Sequence, residues 1–91
     1  MLNEDYVFCP DDTLLILLRE DNKEAFDLIY SRYWEQLFVY VAKVITDRDN
    51  AKDIVQEVFV SLWFRRMNLS DIDSLQAYLF TAARYKGLTY I

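Results

Sequence analysis

The sequence predicts an all-α domain, a compact four-helix bundle built from one short helix and three longer ones. Its 91 residues contain a single Gly and a single Pro, so tight turns should be few and the connections short. Apolar residues make up 54% of the chain, which is enough to form one buried core. No segment shows the regular alternation of apolar and polar residues that is typical of β-strands.

The chain should begin with a tail and a short helix. Residues 1–10 are predicted to form a flexible tail, and the helical domain should span residues 11–91. The cluster at residues 10–13, a proline followed by two aspartates and a threonine, can cap a short helix that runs from Leu14 to about Glu20. The apolar run in this helix indicates that it packs on several sides.

A long second helix is predicted over residues 22–46. Asp21, followed by Glu24 three residues later, resembles a capping box that would start it. Apolar and aromatic residues at three- and four-residue spacing indicate one buried face along its length. The residues of that face are Phe26, Ile29, Tyr30, Tyr33, Leu37, Tyr40, Val41 and Val44.

Two further helices complete the predicted bundle. The third should start at Asn50 and run to about Arg66. A polar connection over 67–73 follows, and Asp73 or Ser74 should cap the fourth helix, which continues to the end of the chain. Short connections of this kind favour an antiparallel bundle.

Composition argues against several classes of function. Cys9 is the only cysteine, so no internal disulfide can form. There is no histidine, so the residue that most often serves as a general base or a metal ligand is missing. No catalytic carboxylate pair or phosphate-binding loop is evident, so the sequence predicts a non-enzymatic protein without metal, cofactor or small-molecule substrate. The first ten residues do not resemble a signal peptide, and no apolar run reaches membrane-spanning length. The single cysteine, which permits no internal disulfide, favours a reducing, cytoplasmic location.

Charge is unevenly distributed along the chain. The net charge of −5 argues against simple nucleic-acid binding. Residues 1–30 carry eight acids and two bases, whereas residues 31–91 carry seven acids and eight bases. If DNA is bound, the C-terminal third should hold it, and only weakly.

The third helix carries a second face that is unusual for a solvated surface. Its core face should consist of Ile54, Val55, Val58, Phe59 and Leu62. On periodicity alone, the opposite face is more often a solvated surface with one stray apolar residue. The alternative is a docking surface, with acidic and amide groups around a small apolar centre. The residues of this opposite face are Asp53, Gln56, Glu57 and Val60.

Several residues in the C-terminal half are candidates for nucleic-acid contact. In the 67–73 connection, Asn68 and Ser70 could hold an unstacked base by its edge, although such a segment is usually an ordinary loop. On the last helix, Arg84 should face outward among several tyrosines, while Lys86 should reach past the edge of the core. The alternative is a set of core aromatic residues with solubilising cations.

The end of the third helix offers one more candidate. Trp63 should project off the core face beside Arg65 and Arg66. It could anchor a partner or stack on a base, and it could equally cover the end of the bundle.

Three segments together resemble region 2 of the extracytoplasmic-function group of bacterial sigma-70-type factors, the promoter-recognising subunits of RNA polymerase. Residues 51–63 (AKDIVQEVFVSLW) are similar to the family's AxDxxQEVFxxLW run. Residues 23–34 (KEAFDLIYSRYW) and 74–84 (SLQAYLFTAAR) are similar to two other family runs, in the same order. The resemblance covers the chain from about Asp12 to Ile91.

The resemblance implies a function in transcription initiation. The segment around Asp53, Gln56 and Glu57 would dock on the clamp helices of the largest polymerase subunit. The 67–73 loop would capture a flipped-out base of the −10 promoter element on the non-template strand, and the last helix would recognise the same element. An anti-sigma factor is a further possible partner that the family implies.

Departures from the family pattern fall near the C-terminus. Tyr85 stands where the family often has Asn, Thr89 replaces an Asp, and Gly87 stands where a better helix former is usual. The family's second domain, which reads the −35 element, is not recognised within these residues, so we expect the complete protein to be longer than this chain. Tyr85, Thr89 and the acidic N-terminal part favour one alternative, a helical protein-interaction module that keeps the docking surface and does not read DNA.

Overall fold

The computed structural model describes residues 9–69 and 72–90, and this part of the chain is entirely helical apart from its connections. The predicted all-α, four-helix architecture is confirmed there. Every helix packs on at least two others, so the bundle has one shared core. The elements are α1 (Asp11–Arg19), α2 (Lys23–Ala42), α3 (Arg48–Phe64), a 3₁₀ turn (Arg66–Asn68) and α4 (Leu75–Tyr90).

The first helix boundary lies earlier than predicted, and the second lies one residue later. α1 starts at Asp11 rather than Leu14, directly after Pro10, whose fixed backbone suits a helix start. α2 is capped by Asn22, whose side chain accepts a hydrogen bond from the backbone N–H of Ala25. Asp21, the predicted cap, instead has a φ of 62° and forms the corner between α1 and α2.

The later boundaries follow the same chemistry. α3 starts after Asp47 rather than at Asn50, and the Asp47 carboxylate accepts hydrogen bonds from the backbone N–H groups of Asp49 and Asn50. Ser74 caps α4, as one of the two predicted options, because its hydroxyl oxygen accepts from the backbone N–H of Ala77.

The predicted core face of α3 is correct at every position. All five of its predicted residues are buried, with Val55, Val58 and Leu62 at 0% exposure.

On α2 the predicted face is buried only in its middle part. Phe26 and Tyr30 are half-buried and pack against the core from its edge.

The end of the predicted α2 face is wrong. Val44 is exposed because the helix ends at Ala42 instead of continuing to residue 46. Tyr40 lies within the helix and is also exposed, with its ring packed edge to face against Phe80. After the turn, Ile45 points into the core and is 4% exposed. A helical period cannot describe residues that lie beyond the end of the helix.

A polar cluster fastens α1 to α2. The Asp11 carboxylate accepts a hydrogen bond from the Tyr33 hydroxyl and forms an ion pair with Arg32, with 2.7 Å between Asp11 Oδ1 and Arg32 Nη1. Burial of the Tyr33 hydroxyl, together with its hydrogen bond to Asp11, raises the pKa of Tyr33 to about 12.

Candidate docking and nucleic-acid surfaces

One side of α3 presents the four residues Asp53, Gln56, Glu57 and Val60, which we call the docking face. All four are exposed, and Val60 is 53% exposed. The opposite side of the same helix is held in the core between α2 and α4. The face therefore lies on a rigid element and spans about 10 Å along the helix axis.

A groove of about 410 Å³ continues from the docking face at Val60, and we call it the end groove. Phe26 and Trp63 give it an aromatic lining, and their two rings pack edge to face with centroids 5.4 Å apart. Phe64, at the end of α3, is 77% exposed. Residues that line the groove are Lys23, Phe26, Asp27, Val60, Trp63 and Phe64.

Trp63 mainly covers the end of the bundle. It is half-buried, packs against the core and does not project freely into solvent as the helix projection predicted. The guanidinium of Arg66 lies over its ring, with Cζ 4.0 Å from the centroid. Only part of the indole is left to line the end groove.

The structure separates the two arginines that follow Trp63. Arg66 is held in place, because Nε lies 2.7 Å from Asp21 Oδ1 and Nη1 donates to the carbonyl oxygen of Trp63. These bonds tie the 3₁₀ turn to the corner between α1 and α2. Arg65 is exposed and lies on the other side, beside α4.

A second groove, of about 290 Å³, lies between α3 and α4, and we call it the basic groove. Arg65 and Lys86 both line it, so these two predicted contacts are brought together. Lys86 is half-buried, as its position near the core stripe indicated. The groove is lined by Ser61, Arg65, Tyr78, Thr81, Ala82, Tyr85 and Lys86.

Tyr85 lines this groove too, although the sequence pointed to it only as one of several tyrosines on the last helix and as a departure from the family pattern. It is 67% exposed and stands beside Lys86 in the basic groove. Together with Lys86, Glu57 and Thr89 it also lines a smaller depression on the way to the docking face. The seven-residue spacing from Tyr78, two helical turns, is the signal that could have placed both tyrosines on one side of α4.

The remaining candidates lie elsewhere. Arg84 is exposed but faces a separate cavity of about 190 Å³ near the end of α2, so it does not share the basic groove with Lys86. Asn68 is exposed at the end of the 3₁₀ turn, and Leu69 after it is buried. Ser70 lies outside the described residues.

Two features are absent from the described residues. Over residues 9–69 and 72–90, no group of three or more His, Cys, Asp or Glu side chains could hold a metal ion. Within the same residues, no helix has the length and apolar character needed to cross a bilayer.

Comparison with known families identifies the fold. The family model for Sigma-70 region 2 matches residues 29–91, which include α3, the following turn and α4. The chain belongs to the sigma-70 region 2 family. Region 2 of sigma factors is a non-enzymatic domain that binds core RNA polymerase and recognises the −10 element of promoter DNA. Comparisons with curated proteins and with solved structures gave no match.

Proposed function

We propose that this region 2 domain comes from an alternative sigma factor of the extracytoplasmic-function group. The docking face would bind the clamp helices of the largest polymerase subunit, and the C-terminal half would hold the unpaired non-template strand of the −10 element. The domain would act in the cytoplasm. The assignment to this group is supported by the three sequence runs that resemble it. The docking part is supported chiefly by α3, where an exposed row of two acids, an amide and a valine lies opposite a fully apolar buried face.

Such a domain would work by differential binding. A holoenzyme that binds an unpaired strand better than duplex DNA shifts the DNA toward the open form. Unstacking one base costs a few kcal/mol, while stacking it on an aromatic side chain returns about 1–3 kcal/mol. Since these terms nearly cancel, contacts with the polymerase must supply the remaining free energy of opening.

The basic groove is the best-supported strand-binding surface. Arg65 and Lys86 supply positive charge, and Tyr78 and Tyr85 supply aromatic rings in the same groove. Asn68 and Ser70 remain candidates for base capture, and Arg84, on the other side of α4, remains a candidate phosphate contact. With so few cations and a net charge of −5, the free domain should bind DNA weakly.

The docking half is tested with a double variant and a matched control. Gln56→Ala with Glu57→Ala should weaken binding to core polymerase about tenfold or more, while helicity and melting temperature stay nearly unchanged. Glu35→Ala with Gln36→Ala removes the same two side-chain types from exposed positions on α2 and should bind like the wild type. Wild-type affinity of the first variant in a titration would reject the docking face.

The DNA half is tested on the holoenzyme with single-stranded −10 DNA. Arg65→Ala and Arg84→Ala should each weaken binding about equally for all sequences, because phosphate contacts carry no base information. Asn68→Ala should instead reduce discrimination at one base position. The salt dependence should be shallow, with a log–log slope of about −0.7 per phosphate contact.

A second candidate is an interaction module that binds polymerase and does not read DNA. It is favoured by the fixed position of Arg66, which is bonded to Asp21, and by the separation of Arg84 from the basic groove. Equal binding of the −10 strand by the wild type and all three DNA variants, with intact polymerase binding, would support this candidate.

A further inference from the structure

The end groove is an apolar concavity next to the docking face. Val60 belongs to both surfaces, so they are continuous along one side of α3. Phe64 lies one helical turn beyond Val60, and both side chains are more than half exposed. A phenylalanine at 77% exposure beside an open aromatic groove is the kind of surface that loses water when a partner binds.

The combined surface has a defined length and a chemical gradient. From Asp53 to Phe64 it extends about 17 Å along α3, which is the length of three helical turns. Its first part is acidic, with Asp53 and Glu57, and its last part is apolar. Lys23 and Asp27 on α2 also line the groove. Because their charges are opposite, they repel neither a basic nor an acidic partner.

We propose that the polymerase-docking surface extends into the end groove, with Phe64 as its apolar anchor. The occupant is a helical segment of core RNA polymerase, and the inference rests on the docking function proposed above. That segment should carry basic side chains opposite Asp53 and Glu57, which complement their charge. About two turns further along, it should carry a bulky apolar side chain that enters the groove between Val60 and Phe64.

The experiment measures the affinity of the full chain for core RNA polymerase. Phe64→Ala should weaken binding about tenfold or more, because the apolar anchor is lost, while Phe64→Leu should retain most of the affinity. Both variants should melt like the wild type, since Phe64 is largely exposed. The matched control is Val39→Ala, which shortens a 49% exposed apolar side chain on α2, about 18 Å along that helix from Asp27.

The outcomes separate this inference from the docking proposal. If Phe64→Ala binds like the wild type while Gln56→Ala with Glu57→Ala loses affinity, the groove is not part of the interface, although docking stands. If both variants bind like the wild type, the docking proposal itself fails. If Phe64→Ala reduces self-association in sedimentation velocity without changing polymerase affinity, the occupant is a second copy of the chain and the inference is wrong.

Discussion

Leu62→Ala and Val60→Ala change neighbouring positions of α3 that face opposite surroundings. Leu62 is 0% exposed in the shared core, whereas Val60 is 53% exposed on the docking face. Truncation of Leu62 should therefore lower the stability of the domain and leave the docking residues in place. Truncation of Val60 should lower the affinity for polymerase and leave stability nearly unchanged.

The magnitude of the Leu62 effect follows from its burial. A fully buried Leu→Ala change costs about 2–5 kcal/mol, since it removes buried methyl groups and leaves a cavity. For a domain of this size, 1 kcal/mol shifts the melting temperature by about 4–8 °C, so Leu62→Ala should lower it by at least about 8 °C. Val60→Ala should change the free energy of unfolding by no more than about 0.5 kcal/mol.

Two measurements on each variant decide the matter. Thermal and urea unfolding followed by circular dichroism gives stability, and titration with core polymerase below the melting temperature gives affinity. A melting temperature of Leu62→Ala within a degree or two of the wild type would mean that α3 is rotated about its axis and that Leu62 does not lie in the core. The docking face would then be misassigned as well, because both faces are fixed by the same rotation.

Two other predictions concern the ends of helices and their polar contacts. Tyr33 has a pKa raised from 10.0 to about 12, so its contribution to stability is complete below pH 10 and is lost as the pH rises through 12. Urea unfolding between pH 8 and 12 should show that Tyr33→Phe flattens this dependence, and an unchanged slope would contradict it. Asp47→Ala should cost about 0.5–2 kcal/mol in the same assay through loss of the α3 cap, whereas Asp47→Asn, which keeps the acceptor oxygen, should cost less.

The sequence predicted the faces of α3 because its environment is simple. Neighbouring helices pack on one side of it and solvent lies on the other, so a single period of 3.6 residues describes the whole helix. Helix starts were less accurate where candidate caps lie side by side. Asp21 and Asn22 compete at one corner, and Asp47, Asp49 and Asn50 compete at the next. Only the backbone path decides which side chain meets the free N–H groups.

The candidate nucleic-acid surface needed the tertiary structure. Arg65 and Arg66 are adjacent in the sequence, but what each side chain contacts depends on the packing of other elements. Arg66 meets Asp21, which is 45 residues away in the sequence, while Arg65 meets α4. Arg84 and Lys86 are two residues apart on α4, so the helical period already places them on different sides, but only the packing of α2 and α3 shows which cavities those sides line.

The two proposed surfaces meet on α3, and this has an electrostatic consequence. Glu57 of the docking face lines the same depression as Lys86 and Tyr85. In the free domain, the Glu57 carboxylate opposes the attraction of a phosphate to Lys86. A cation of the polymerase that pairs with Glu57 would offset that charge, so docking would itself strengthen the basic groove as a strand-binding site. Glu57→Gln removes this negative charge even when no polymerase is bound. It should therefore raise the affinity of the free domain for single-stranded DNA at low salt. That gain should disappear at high salt, because exposed charges are then screened.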